Sequence, residues 1–170
     1  MPTEPEGVVA NLAEAVNRRD VDAVMAMITG DATVTIPALS GRQGRDEIEA
    51  FFEFCAGIGV SWEVSGTVVH GDAVTCQVAQ RDGWADLVGV APLVYETMTI
   101  TVRNGRVAGI EGQWSSETLQ RLGSQLESFT PWAVEHHPEL YTEDGDFRYT
   151  REAGEGFIRA AEEWVSFRSG

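Results

Sequence analysis

The sequence predicts an α+β fold: a cone-shaped, curved, mostly antiparallel sheet wrapped around three N-terminal helices, with a helical C-terminal extension. Three observations predict it. Two amphipathic stretches come first, then a short strand stopped by Pro37 and a third amphipathic stretch. Four strand-like runs follow, with turn signals at Gly71-Asp72 and Asn104-Gly105. After about residue 115 the pattern turns helical again, without further strands.

Residues 6–18 place Val8, Val9, Leu12, Ala15 and Val16 on one helical face. Asp20 is a good N-cap for a second helix, with Val21, Val24, Met25 and Ile28 inward and Gly30 as its stop. Residues 32–36, Ala-Thr-Val-Thr-Ile, read as a short strand stopped by Pro37. The loop 38–44 leads to a third helix over 45–57, whose core face carries Ile48, Phe51, Phe52 and Cys55. Strands are expected at 60–69, 73–83, 93–103 and 106–114. Asn-Gly supplies two residues that tolerate positive φ, which is the requirement of a two-residue hairpin turn. The Gly- and Pro-bounded stretch 83–92 reads as a flexible loop at one rim. Residues 116–127 and 151–167 read as helices and 128–149 as irregular. The chain divides accordingly into a cone domain, 1–127, and an extension, 128–170, that packs on it.

Composition narrows the function. The 170 residues are 43% hydrophobic, enough for one core, and no apolar run approaches membrane-span length. The acidic start, Met1 to Glu6, has no secretory pattern, so a cytoplasmic location is expected. A formal charge of −15 disfavours nucleic acid and anionic membranes as partners. All 12 basic residues are arginine, which excludes a lysine Schiff base and a Walker-type phosphate loop. Cys55 and Cys76 read as buried thiols. With three scattered histidines they form no zinc pattern, so no metal and no cofactor are expected.

Val16-Asn17-Arg18-Arg19-Asp20-Val21-Asp22-Ala23-Val24, Asp31-Ala32-Thr33-Val34-Thr35-Ile36-Pro37, Gly44-Arg45-Asp46-Glu47-Ile48 and Asn104-Gly105-Arg106-Val107 together resemble the nuclear-transport-factor-2-like superfamily. The likeness covers residues 6–115 and is greatest to the SnoaL-like polyketide cyclase and ketosteroid isomerase branch. It implies a cone with a ligand-sized hollow, in a superfamily of isomerases, cyclases, dehydratases, epoxide hydrolases and non-catalytic domains. Ketosteroid isomerases carry a tyrosine in the first helix and an aspartate before the proline of the first strand. Here those positions are Leu12 and Ile36, which cannot do that chemistry. The aspartate that SnoaL-like cyclases carry on the last strand is not cleanly reproduced in Ile110-Glu111-Gly112-Gln113-Trp114-Ser115. Gln80-Arg81-Asp82 only partly echoes the Arg and Asp of limonene epoxide hydrolases.

Strand alternation nominates the site. Counting back from Asn104-Gly105 places Val102 opposite Val107, Ile100 opposite Gly109, Met98 opposite Glu111 and Glu96 opposite Gln113. A Gly71-Asp72 turn places Glu63 opposite Gln80. The floor of the hollow is then apolar, and Glu63, Gln80, Asp82, Glu96, Glu111 and Gln113 gather above it. Asp82, Glu96 and Glu111 are the candidate catalytic acids, since crowded, dry carboxyls shift in pKa and suit general acid–base work. Glu63, Gln80, Gln113, Trp84, Met98, Phe52 and Trp114 are the candidate substrate contacts. The run Val60, Trp62, Val64, Val68 favours the opposite face unless a bulge intervenes, and a bulge in the last strand would turn Trp114 into the pocket.

The outer face would carry Trp62, Val64, Val68, Tyr95, Thr97, Thr99, Ile110 and Trp114, an apolar surface suited to a sheet-to-sheet homodimer. Trp132, Tyr141, Phe147 and Tyr149 would anchor the extension over the sheet or the cavity mouth, and His136-His137 reads as surface loop. Two functions stay open. One is a cofactor-independent enzyme moving protons on a small apolar oxygenated molecule of polyketide-like or terpenoid-like type. The other is a non-catalytic small-molecule-binding or assembly module of the same fold.

Overall fold

The computed structural model describes residues 3–36 and 41–170. Pro37, the expected strand stop, and loop residues 38–40 lie outside the described residues. The elements in chain order are α1 (Pro5–Asn17), α2 (Val21–Ala26), β1 (Ile28–Thr35), β2 (Arg42–Gln43), α3 (Arg45–Ile58), β3 (Ser61–His70), β4 (Ala73–Arg81), α4 (Gly83–Val88), β5 (Leu93–Arg103), β6 (Arg106–Trp114), α5 (Ser116–His136) and α6 (Arg151–Ser169), with a 3-10 turn at Pro138–Leu140. The sheet order is β2-β1-β6-β5-β4-β3. Among the described residues only β1 and β6 run parallel; the other pairs are antiparallel.

Local chemistry explains most boundaries. The Asp20 side chain accepts from the Ala23 N–H and opens α2. That helix is shorter than expected: Ile28 already belongs to β1, and Gly30 lies inside the strand rather than ending the helix. Gly59, left-handed at φ 81°, closes α3. Asn104 and Gly105 both adopt positive φ and close the β5–β6 hairpin with Val102 opposite Val107, as the dipeptide predicts.

Three one-residue irregularities then overturn the expected facing. In β6, Ala108 is an extra residue, so Ile100 pairs with Ile110 and Met98 with Gly112. Glu111 and Gln113 consequently lie opposite Thr99 and Thr97 and are exposed. In β5, Glu96 is the extra residue: Tyr95 and Met98 both turn inward while Glu96 stays in solvent. In β3, two residues, Gly66 at φ 62° and Thr67, stand against Cys76 alone. Trp62, not Glu63, then pairs with Gln80 and is buried; Glu63 is exposed. The outer face therefore loses Trp62, Tyr95, Ile110 and Trp114, all buried on the inner side. It keeps Val64, Val68 and threonines, far less apolar than the pattern suggested.

The segment 83–92 is not a loop. Its first half forms α4, with the Asp82 carboxylate accepting the Ala85 N–H at 2.7 Å and Gly89 as the left-handed stop. Residues 128–136, expected to be irregular, continue α5 through Pro131, because Phe129 and Ala133 are buried and hold that turn in place. His136 is thus the last residue of a helix rather than part of a loop. Both cysteines are free and buried. Among the described residues no helix is long and apolar enough to cross a membrane.

The C-terminal helices close the open end of the cone. Helix α6 crosses α3 so closely that a Cβ on Gly57 would run into the Arg151 carbonyl, and one on Gly154 would sit 2.5 Å from the Phe54 carbonyl oxygen. The Arg151 guanidinium also binds Glu53 at 2.6 Å. Backbone cannot step aside as a flexible side chain can. Gly154→Ala is therefore expected to cost about 2–4 kcal/mol, in the range of overpacking and core disruption. Urea unfolding reads this; a loss below about 0.5 kcal/mol would show that α6 is not seated on α3.

Candidate functional site

One cavity of about 150 Å³ lies between the sheet and the extension. Helix α3 gives Phe51, Phe54, Cys55 and Ile58 to its wall. The strands give Trp62, Gln80, Leu93, Tyr95 and Trp114, with Asp82 and Trp84 at the start of α4. The first half of α5 gives Leu122 and Leu126, and the extension gives Phe129, Phe147, Tyr149 and Phe157. The lining residues that keep some exposure are Phe54, Leu122, Leu126, Phe147 and Tyr149, so the mouth opens between α3, α5 and the segment before α6.

Asp82 is the only carboxyl among the described lining residues. It is 6% exposed. Burial in this apolar setting pushes its pKa up from 3.8 to about 6, against the lowering pull of the Ala85 N–H; the Asp86 charge raises it further, while the Gln80 amide and the Trp84 N–H lower it. The position follows from local sequence: the carboxyl must cap α4, and β4 delivers that cap to the inner face one step after Gln80. Gln80 is itself fixed, because its Oε1 accepts the Trp62 indole N–H at 3.0 Å.

Tyr95 stacks on Trp114 with ring centroids 3.8 Å apart. Gly112 makes room for it: a Cβ there would lie 2.6 Å from the Tyr95 ring. Burial raises the Tyr95 phenol well above its usual range, and the charges of Cys55 and Asp82 push the same way. Burial likewise raises the Cys55 thiol, with a second push from Asp82. Both groups are neutral near pH 7, and Asp82 is the lining group whose pKa lies nearest neutrality. The Trp84 indole N–H is buried with no hydrogen-bond partner among the described residues.

Four of the ten nominated residues line this cavity: Asp82, Gln80, Trp84 and Trp114. Glu96, Glu111, Glu63 and Gln113 do not, because the bulges turn them to solvent. Met98 is fully buried beside Cys76, and Phe52 faces the other way, against Val16, Val21 and Val24 of the first two helices. Tyr95 and Trp62, expected on the outer face, line the cavity instead; for Trp62 the Val60-Trp62-Val64 alternation already points that way. Phe129 and Phe157 of the extension were missed as lining residues; their aromatic density was the available signal.

Helices packed in a curved six-stranded sheet, with an apolar hollow holding one polar cluster, define a nuclear-transport-factor-2-like protein. The SnoaL-like domain model matches residues 9–110, and the chain belongs to that family. No curated protein matches the chain in sequence. Solved structures agree on the fold. An NTF2-like protein of unknown function from Cytophaga hutchinsonii superposes with a TM-score of 0.59 at 10% identity, covering 72% of this chain and 97% of that one. SalBIII, described as an epoxide hydrolase/cyclase-like enzyme in pyran ring formation in salinomycin, gives 0.56 at 20% identity, covering 66% and 91%. TerC co-crystallised with polyporic acid gives 0.53 at 14% identity, covering 69% and 96%.

The Asp82 shift has a sign that stability measurements can read. The folded chain holds this proton more tightly than the unfolded chain, so stability falls as pH rises from about 4 to about 6 and stays reduced above. The burial penalty at pH 8 is on the order of 3 kcal/mol. Asp82→Asn keeps a competent N-cap and removes the charge. It should gain stability at pH 8, gain little at pH 3.5, and flatten the pH profile between. A variant less stable than the parent at pH 8 would contradict a strained, uncompensated carboxyl.

Proposed function

We propose that this protein is an enzyme that moves a proton on a small, largely apolar, oxygen-bearing molecule, using Asp82 as its single acid–base group. One observation carries the reading: a lone buried carboxyl, poised near neutrality, in an aromatic cavity of about 150 Å³. A cavity of that size suits one six-membered ring with short substituents, as in engineered apolar cavities that take benzene. The apolar walls would hold the ring while Asp82 in its neutral form donates to a substrate oxygen and then recovers a proton from a neighbouring carbon or from water. Tyr95 would hold the same oxygen as a neutral donor, and Gln80 would keep Asp82 oriented.

Ring closure, isomerisation and dehydration each fit a single acid–base group. Mechanisms that need two carboxyls lose support, since Glu96 and Glu111 lie on the outer face. SalBIII, named for ring formation, and TerC, crystallised with a ring-bearing acid, lend the analogy of fold alone. The same cavity would also serve a non-catalytic binding protein, a reading favoured by its having one titrating acid.

The two readings part at Asp82→Asn. Candidate monocyclic ketones, hydroxy-ketones and epoxides are first ranked by binding, then assayed for turnover. For an enzyme, Asp82→Asn should bind the same ligands within about threefold but lose about 10²–10⁴-fold in kcat. Tyr95→Phe should lose less, and Glu96→Gln with Glu111→Gln should lose nothing. Turnover unchanged in Asp82→Asn would end the acid–base proposal. Binding without turnover in the parent protein would favour the binding module.

A further inference from the structure

The cavity walls are predominantly aromatic. Ten of the lining side chains are aromatic, and neither an arginine nor a histidine is among the described lining residues. The chain has no lysine, and its formal charge is −15. Aromatic rings attract cations through the negative face of the π system, most strongly where water is excluded. A buried carboxylate without a counter-ion adds to the same preference.

Asp82 is held by hydrogen bonds from neutral groups, the Ala85 and Trp84 N–H and the Gln80 amide, and has no ion-pair partner among the described residues. Arg19, at the turn between α1 and α2, is the cation that approaches this end of α4: a Cβ on Gly59 would lie 3.2 Å from its Nη2 and 3.9 Å from the Gly83 nitrogen. Helix α3 brings Cys55 and β5 brings Tyr95, both held neutral. Strand β4 brings the Gln80 amide; its Arg81 is exposed and tied to Asp86 at 2.8 Å. Helix α4 adds Asp86, which repels Asp82. Helix α6 packs Ile158 on Gly83 at the start of α4. Arg42 stays outside the lining, with its guanidinium carbon 3.8 Å over the Tyr149 ring. A cation thus already sits on one aromatic side chain of this cavity, on the rim rather than within.

We infer that the cavity selects positive charge: its preferred ligand class is a small monocyclic organic cation, a protonated or quaternary amine with an apolar body, over a neutral molecule of the same shape. The inference rests on the cavity being the ligand site and deepens the proton-transfer reading. A substrate whose oxygen has just accepted the Asp82 proton is not an amine but carries the same positive charge, beside the carboxylate that released it. Anions of the same size, such as benzoate, would meet the faces of the aromatic rings and the Asp82 carboxylate, with only the Trp84 and Tyr95 donors to hold them.

Phenyltrimethylammonium and tert-butylbenzene share one shape and differ by one charge, so their comparison isolates the effect. Both are titrated against the whole chain by quenching of tryptophan fluorescence, since Trp62, Trp84 and Trp114 line the cavity. At pH 8 the ammonium should bind at least tenfold more tightly than the hydrocarbon, and the hydrocarbon should displace it. At pH 5, with Asp82 protonated, that advantage should shrink at least fivefold. Asp82→Asn should remove most of it at pH 8, and its retained N-cap keeps the variant folded. Equal or tighter binding of tert-butylbenzene at pH 8 overturns the charge preference while leaving the cavity as an apolar ligand site. Ammonium that the hydrocarbon cannot displace is bound to the acidic surface, and also overturns it. If neither compound binds, the cavity is not the ligand site, and the proton-transfer reading falls with the inference.

Discussion

Side chains on a strand alternate, so a single inserted residue reverses the facing of everything beyond it. This protein uses that constraint three times on the inner wall of one sheet. The extra residue in β3 buries Trp62 and expels Glu63. Glu96 bulges from β5 so that Tyr95 and Met98 both enter the core, and Ala108 in β6 brings Ile110, Gly112 and Trp114 inward. The result is an inner wall of aromatic and aliphatic groups with one polar cluster, where regular strands would have gathered several carboxyls.

Removing those carboxyls changes the chemistry that the hollow can support. Several acids in a dry site would share protons and blunt one another. A single acid next to a neutral phenol and a neutral amide titrates alone, and its shift comes mainly from burial. Its environment is also directional. The backbone N–H of Ala85 and the Gln80 amide hold the carboxyl in place, the latter anchored by the Trp62 indole. The same short helix that needs Asp82 as a cap buries Trp84 beside it, so capping α4 and lining this end of the cavity are one event.

The second half of the cavity comes from beyond the matched family region, residues 9–110. Phe129 of α5 meets Trp84 edge-on at 5.5 Å between centroids and Trp164 of α6 at 5.3 Å. Phe147 and Phe157 lie 5.1 Å apart and, with Phe54, tie the extension to α3. These contacts rest on the close crossing at Gly57 and Gly154, which lets α6 lie low enough for Phe157 to reach the hollow. The extension therefore sets the size of the cavity as well as covering it.

The sequence by itself determined the order of elements, the Asn104-Gly105 hairpin and its first pair, the inward facing of Gln80 and Asp82, and the absence of lysine chemistry. Each depends on contacts close along the chain: caps, turns and alternation within one strand. It also gave warning of β3, where Val60, Trp62 and Val64 pointed the other way. Tertiary structure alone decided the fate of Glu96, Glu111 and Gln113 and brought Tyr95, Phe129, Phe147 and Phe157 to one cavity. A bulge is an agreement between two strands about which residue goes unpaired, and the curvature of the sheet and the packing of α1 against β3 and β5 bear on that agreement. Neither is written in the residues of any one strand.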